Sequence, residues 1–174
     1  MPIEKHLFLR VMGSFASGVT IITVMDQDGV PRGFTASAVS SLSLEPRMLL
    51  VCVSERSATL EIMKQAGSFA VNILAADQQH VAQQFAKQEG DRFAGLRWRL
   101  GGETGSPVID GALAYAECRL TETCKGGDHV IVMGEIVAGD AHEAEPLLYF
   151  RGRYGRYESV VAPVVYPADI WEIW

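Results

Sequence analysis

Apolar side chains recur along the first fifteen residues with the period of an α-helix. Four of them stand at i, i+3, i+4 and i+7 and share one face: Phe8, Val11, Met12 and Phe15. This pattern predicts an amphipathic helix over residues 3–15, followed by a turn at Gly18. A second short helix is predicted over residues 57–65, and a third is predicted to begin with Asp77 as its N-cap.

The other apolar segments are short and have the composition or the alternation of β-strands. Residues 113–121 alternate clearly, with Glu117 on the more polar face. Residues 48–53 are continuously apolar, which predicts a strand buried on both faces. Residues 88–107 carry scattered glycines and are predicted to form a loop. Strands are predicted over residues 19–25, 31–38, 48–53, 69–73, 113–121, 129–137 and 147–150.

The connections between these strands predict how the strands pair. The segments 26–29 and 124–128 are too short to hold a crossover helix, so the strands they join must be antiparallel. A closed or nearly closed barrel would hide the edges of such a sheet. The expected fold is therefore mainly β, with six or seven strands and a few short peripheral helices. No repeat or linker interrupts residues 1–174, which predicts a single domain.

Composition excludes several classes of function. The 174-residue chain has a formal charge of −6 and no basic block, which argues against nucleic acid as its main partner. Its longest apolar run, residues 48–53, is too short to span a bilayer. The first residues lack the pattern of a signal peptide, so a cytoplasmic protein without membrane attachment is expected. Three cysteines and no metal-ligand motif predict neither a disulfide framework nor a metal site.

A run of small and hydroxyl-bearing residues lies between two predicted apolar strands. Serine runs are most often solvent-exposed loops, but a loop in this place would normally carry Lys, Glu or Gly. Small side chains let a flat ligand with polar edges approach the backbone closely. The run is therefore a candidate ligand cradle, comprising Thr35, Ala36, Ser37, Ala38, Ser40 and Ser41.

A second cluster stands at the predicted start of the helix over residues 57–65. Ser57 is explained by helix capping alone. Arg56 beside Ser54, Ser57 and Thr59 adds an anion-binding option, because first-turn N–H groups carry partial positive charge. No glycine-rich nucleotide-binding motif occurs, so a nucleotide would need a fold other than the Rossmann type.

Two later segments are candidates for contact with a second substrate. His129 follows a predicted hairpin turn, where a histidine is usually just a partly exposed polar residue. Residues 151–154, Arg-Gly-Arg-Tyr, follow a predicted strand and can bind phosphates and stack on a ring. The four histidines are scattered and no Gly-x-Ser-x-Gly motif is present, which argues against a hydrolase.

Taken together, these segments resemble the flavin reductases that supply reduced flavin to two-component monooxygenases. The resemblance covers nearly the whole chain. It is carried by Arg10-x-Met12-Gly13-x-Phe15-Ala16-x-Gly18-Val19, Gly33-Phe34-Thr35-Ala36-Ser37-Ala38, Ser40-x-x-Ser43-Leu44-x-Pro46, Phe69-Ala70-Val71-Asn72-Ile73-Leu74, Gln84-Phe85-Ala86, Gly127-Asp128-His129 and Pro146-Leu147-Leu148-Tyr149-Phe150-x-Gly152-x-Tyr154. It implies a split antiparallel β-barrel, usually a homodimer, that binds FMN or FAD.

The resemblance also implies roles for individual residues. Hydride would pass from NADH or NADPH to flavin N5, with His129 as the catalytic contact. The small-residue run from Thr35 to Ser41 would hold the flavin ring, and backbone N–H groups around Cys52, Val53 and Ser54 would stabilise charge near N1 and O2. The phosphate would lie near Arg56, Ser57, Thr59, Phe85, Ala86 and Lys87. The nicotinamide nucleotide would meet His129, Arg151, Gly152, Arg153 and Tyr154.

Several alternatives stay open from the sequence. The same barrel can keep a tightly bound flavin and reduce another acceptor, or bind a flavin or haem-related group without catalysis. Glu55 puts a negative charge beside the expected phosphate site, so either Glu55 points outward or the phosphate lies elsewhere. The apolar segment 160–174 is expected to dock on this subunit or on a partner.

Overall fold

The computed structural model describes residues 2–158, which form a mainly β, antiparallel structure. The expected mainly β fold is confirmed, whereas the prediction for residues 160–174 lies outside the described part. The helices of residues 2–158 are α1 (Lys5–Met12), α2 (Ala58–Ala66) and α3 (Gln79–Phe85). The strands are β1 (Ser17–Gly18), β2 (Thr20–Met25), β3 (Pro31–Ala36), β4 (Val39–Ser43), β5 (Met48–Ser54), β6 (Ser68–Ile73), β7 (Trp98–Leu100), β8 (Pro107–Ile109), β9 (Ala114–Gly126), β10 (His129–Ala141), β11 (Leu147–Phe150) and β12 (Arg153–Arg156).

Seven strands form the main sheet in the order β3-β2-β6-β9-β10-β5-β4. In a flat sheet its two edge strands would lie roughly 29 Å apart, at the usual spacing of neighbouring strands. Yet β3 and β4 are joined by only Ser37 and Ala38, which span at most roughly 11 Å between the flanking Cα atoms. The sheet must therefore curl until its edges approach each other, and the Cys52 amide donates a hydrogen bond to the Ala38 carbonyl (3.0 Å) at this junction.

The core has two parts, on opposite faces of β2. Ile22 and Val24 belong to the barrel interior together with Val51, Phe69 and other apolar residues. Ile21 packs on the other side, in a cluster that includes side chains of α3 and the loop after it. Helix α3 and the following loop are thus anchored to the outside of the barrel wall, next to β3.

Several predicted boundaries and burial patterns change in the structure. The first helix is Lys5–Met12 rather than residues 3–15, and it buries none of its side chains. Helix α3 has Gln78 rather than Asp77 as its N-cap, because three turn residues precede the helix. The prediction that residues 48–53 are buried on both faces is wrong: Leu49, Val51 and Val53 are buried, and the residues between them are half-buried. A continuous apolar run cannot reveal which face is covered.

The sequence also misses several short strands. Strand β4 begins within the serine run, β7 falls within the predicted loop 88–107, β8 begins at the last residue of that loop, and β12 follows β11 through a tight turn. Strands of three to five residues are too short to show a clear period. No helix within residues 2–158 has the length and apolar composition needed to cross a bilayer.

Strand β9 holds a buried carboxylate on the face predicted to be polar. Glu117 has only 2% of its surface exposed, although it lies on the face of the strand predicted to be the more exposed one. The predicted exposure of this residue is therefore wrong. Its oxygens accept hydrogen bonds from the amides of Gly102, Glu103 and Thr104 and from the Thr104 hydroxyl, at 2.8–3.0 Å. The loop between β7 and β8 folds over this carboxylate, which explains a burial that local alternation cannot predict.

Candidate functional site

One cavity, of about 730 Å³, gathers most of the residues singled out from the sequence. This volume is in the range of small-molecule and cofactor sites. The cavity lies where β3, β5, α2, α3 and β10 meet. It is lined by Phe34, Thr35, Ala36, Ser37, Ala38, Cys52, Val53, Ser54, Arg56, Ser57, Ala58, Thr59, Phe85, Ala86, Lys87, Gln88, Arg92 and His129.

The junction between β3 and β4 forms the wall with the smallest side chains. The Thr35 hydroxyl donates a hydrogen bond to the Ala82 carbonyl of α3 (2.7 Å), which fixes this end of β3 against the helix. Ala36, Ser37 and Ala38 leave room beside their backbone, as the sequence pattern indicates.

Ser40 and Ser41, the last members of the candidate cradle, are not brought to this cavity. They lie on β4, where they pair with Leu50 and Leu49 of β5, and both are exposed. The chain enters β4 directly after Ala38 and runs away from the cavity. The run is continuous in the sequence, but the direction of β4 separates Ser40 and Ser41 from residues 35–38 in space.

The end of β5 supplies a second wall. The Cys52 amide is already bonded to the Ala38 carbonyl (3.0 Å), so it is not a free donor. Strand geometry places the Ser54 amide on the same edge two residues further on, past Val51, the last β5 residue paired with β4. Of the backbone groups predicted around Cys52, Val53 and Ser54, the Ser54 amide is therefore the one placed to meet a ligand.

The N-terminus of α2 faces the cavity. Arg56, Ser57, Ala58 and Thr59 all line it, and Ser57 is the N-cap. The Ser57 side chain makes no capping hydrogen bond to the helix. First-turn amides and an uncommitted hydroxyl therefore face the same space, which is an arrangement suited to a phosphate.

Glu55, which left the phosphate position open in the sequence, does not line the cavity. Its carboxylate pairs with the Lys125 ammonium at 3.3 Å, on an exposed part of the surface. Of the two alternatives, an outward-pointing Glu55 or a phosphate elsewhere, the structure shows the first. The expected phosphate site therefore has no carboxylate from Glu55 facing it.

The cavity wall carries cations without carboxylates. Arg56, Lys87 and Arg92 line it, and none of the described lining residues is Asp or Glu. An excess of positive charge along a partly enclosed space attracts an anionic ligand. Sequence reasoning missed Arg92, because it lies in a segment predicted to be a loop and reaches the cavity only through the fold. Phe34, Ala58 and Gln88 were missed as well.

His129 is the first residue of β10 and lines the cavity. Its Nδ1 atom lies 2.8 Å from Asp128 Oδ1, which leaves Nε2 available. The hydrogen bond from His129 holds the pKa of the Asp128 carboxyl below its ordinary value, and the charge of Arg56 adds a smaller contribution in the same direction. The Asp128 side chain is almost fully exposed, so this contact is a surface hydrogen bond to the imidazole ring.

The segment Arg151–Tyr154 lies elsewhere. Its strands, β11 and β12, form a separate three-stranded sheet with β1, and Arg151 donates to the Ser14 hydroxyl (3.3 Å) beside α1. Arg151, Arg153 and Tyr154 line surface depressions that do not include His129. Within one chain the structure does not bring the predicted nicotinamide-binding set together, because the two parts belong to different sheets.

Comparisons with known proteins place this geometry in a family. Residues 12–158 match the family described as "Flavin reductase like domain". The chain is 39% identical to the reductase subunit HsaB of a flavin-dependent monooxygenase from Rhodococcus jostii, over 92% of this chain and 84% of that protein. It is 39% identical to a flavin reductase (NADH) from Kitasatospora aureofaciens, over 89% and 83% of the two chains.

A solved structure shares the fold as well. The NADH:FAD oxidoreductase SgcE6 of Streptomyces globisporus, in complex with NAD and FAD fragments, matches with a TM-score of 0.87 and 35% identity. The match covers 91% of this chain and 96% of that one.

Proposed function

Because this chain belongs to the flavin reductase-like domain family, we propose that it is an NAD(P)H:flavin oxidoreductase that supplies reduced flavin to a partner monooxygenase. Relatives over most of the chain carry this activity in their names, as flavin reductase (NADH) and as a monooxygenase reductase subunit. Residues 1–174 act as one domain, and the activity lies in the cytoplasm, where reduced nicotinamide nucleotides are available.

The observation that carries this proposal is the cavity at the junction of β3 and β4, whose described lining residues include three cations and no carboxylate. One wall consists of small side chains, and another carries a helix N-terminus with Arg56 and two hydroxyls. A planar ring fits the first wall and a phosphate fits the second, which is the chemistry of FMN or of the flavin half of FAD.

Different residues of the cavity bind different parts of the flavin. A bound flavin supplies N5 as the hydride acceptor, and the protein supplies position and electrostatics. Ala36, Ser37 and Ala38 provide backbone surface for the ring, and the Ser54 amide donates to its anionic edge. The first turn of α2 holds the phosphate, with Ser57, Thr59 and Arg56. His129, which forms a hydrogen bond with Asp128, contacts the nicotinamide.

A steady-state assay over two flavins and two nicotinamides tests the proposal. NADH or NADPH oxidation that scales with added free FMN or FAD supports a reductase that uses flavin as a substrate. Rapid reduction of bound flavin without any response to added flavin supports the tightly bound alternative. No oxidation with any of the four combinations would overturn both enzymatic functions and leave a binding barrel.

A homodimer is also expected. Among residues 2–158, the N-terminal segment exposes a group of large apolar side chains, between 41% and 76% exposed: Leu7, Phe8, Leu9, Val11, Met12 and Phe15. Apolar groups of this extent usually mark an interaction surface. Light scattering on the full chain measures its oligomeric state.

We expect Arg56→Ala to raise the dissociation constant of FMN by about tenfold, because charge-assisted hydrogen bonds contribute about 1.5–3 kcal/mol. Fluorescence titration of each flavin measures this constant. Lys125→Ala, which removes the partner of Glu55 outside the cavity, is the matched control. An unchanged FMN constant in Arg56→Ala would remove Arg56 from the site.

We expect His129→Ala to raise KM for NADH more than it raises the dissociation constant of flavin, because His129 lies at the start of β10 and not in the small-residue wall between β3 and β4. Paired measurements of KM and flavin binding on one preparation give the ratio. The exposed His142→Ala serves as the control. Equal losses in both quantities would contradict a nicotinamide role for His129.

A further inference from the structure

Arg92 lies in the loop after α3 and reaches the cavity from outside the barrel wall. It is half-buried, and its Nη1 atom donates a hydrogen bond to the Gly33 carbonyl of β3 at 2.6 Å. One of its five N–H donors is thereby committed, and the guanidinium remains part of the cavity lining.

The backbone of this loop is held firmly by α3. The Gln84 side-chain amide donates to the carbonyls of Arg92 (3.0 Å) and Ala94 (2.9 Å). Phe93 is buried and packs edge-on against Phe85, with ring centroids 4.9 Å apart. These contacts fix the starting point of the Arg92 side chain.

The acceptor of Arg92 is equally fixed. A Cβ atom at Gly33 would lie 2.7 Å from the Ile22 carbonyl and 2.8 Å from the Phe85 ring, so the strand, the helix and the ring are in close contact at this point. With its base and one of its donors both held, the guanidinium is positioned before any ligand arrives. Such preorganisation reduces the entropy lost on binding.

The charge of Arg92 has no protein counterion in the described structure. Two arginines of residues 2–158 pair with carboxylates, Arg32 with Asp26 and Arg119 with Glu103, and both lie on the surface rather than at the cavity. No carboxylate of residues 2–158 forms an ion pair with Arg92, whose protein partner is a neutral carbonyl. A half-buried, positioned and uncompensated guanidinium at a cavity wall is suited to a phosphate group.

We propose that Arg92 is a phosphate-binding residue of this cavity, donating to a phosphate oxygen of a bound nucleotide. The inference rests on the proposed function, since it names a contact within the same site. Both flavin nucleotides and nicotinamide nucleotides carry such phosphates. The shared chemistry is a phosphate ester held by Arg92 on the β3–α3 side of the cavity.

Binding of riboflavin, FMN and FAD, measured by fluorescence titration without nicotinamide, tests this contact. We expect Arg92→Gln to raise the dissociation constants of FMN or FAD about tenfold and to leave riboflavin, which lacks phosphate, unchanged. Arg92→Lys keeps the charge and is expected to recover part of this loss. Arg99→Gln, which removes an exposed arginine stacked on Tyr115, is the matched control.

A second arm identifies the source of the phosphate. If all three flavins bind Arg92→Gln normally and NAD⁺ or NADP⁺ binds about tenfold more weakly, the phosphate belongs to the nicotinamide nucleotide and the proposal stands. Equal weakening of riboflavin and FMN would show a structural role and overturn it, as would unchanged binding of every nucleotide. These titrations measure binding and need no turnover. A wild-type protein without reductase activity would overturn the proposed function and would leave the binding test of Arg92 unaffected.

Discussion

Ser57→Asp is expected to weaken FMN binding by on the order of a hundredfold or more without destabilising the protein. Ser57 is the N-cap of α2 and makes no side-chain capping bond. Aspartate is as good an N-cap as serine and interacts favourably with the helix dipole, so the fold is preserved. A carboxylate about 4–5 Å from a phosphate charge costs roughly 3–4 kcal/mol at the effective dielectric constant of a protein surface.

Fluorescence titrations of FMN and riboflavin, together with thermal unfolding of the free protein, measure both parts of this expectation. Ser57→Asn has nearly the same shape without the charge, and it is expected to bind FMN within a few-fold of wild type. Riboflavin should bind both variants similarly, because it carries no phosphate. If Ser57→Asp binds FMN as wild type does, the phosphate does not lie at the N-terminus of α2.

Glu117→Ala is expected to lower the free energy of unfolding at pH 7 by about 3 kcal/mol, which is a large share of a typical domain's stability. The substitution removes the acceptor of three amides and one hydroxyl in the loop from Gly102 to Thr104. The fit around the carboxylate is close, since a Cβ atom at Gly101 would clash with it. Glu122→Ala, an exposed position on the same strand, is the control. Urea unfolding of both variants measures the difference, and equal losses would show that the hydrogen bonds contribute little.

The contribution of Glu117 also depends on pH in a defined direction. Burial by itself raises the pKa of this carboxyl, but the hydrogen bonds from Thr104, Glu103 and Gly102 outweigh burial and hold the pKa below its ordinary value of 4.5. A depressed pKa means that the unfolded chain binds the proton first as the pH falls. The stabilisation is therefore fully present above about pH 4.5. It is lost as the pH falls through the lower pKa of the folded state.

Urea unfolding at several pH values between 7 and 3.5 measures this loss. The stability difference between wild type and Glu117→Ala is expected to shrink in acid. Asp26, which is half-buried, and the exposed Asp128 also have lowered pKa values, and they change wild type and variant alike. A difference that stays constant down to pH 3.5 would contradict the assignment to Glu117.

Much of the local structure can be predicted from the sequence. Alternation and turn composition predict β9, β10 and the hairpin between them, and the antiparallel pairing is confirmed. Small residues at 35–38, the helix start at Ser57 and the histidine after the 127–128 turn also carry local signals, and the structure gathers them around one cavity. These features depend on neighbouring residues in the chain, which is why their sequence patterns are readable.

The rest is decided by contacts between distant segments. Closure of the sheet brings the end of β3 beside β5 and α2, and this creates the cavity. The same closure carries Ser40 and Ser41 away from it, while the packing of Phe93 on Phe85 brings Arg92 in. Burial of Glu117 depends on a loop that precedes it by about fifteen residues. From its sequence alone, the chain determines a β-rich barrel with a small-residue wall and a phosphate-suited helix start. Only the tertiary structure decides which charges face the cavity, because the direction of a side chain depends on how the strands pair and how the loops pack.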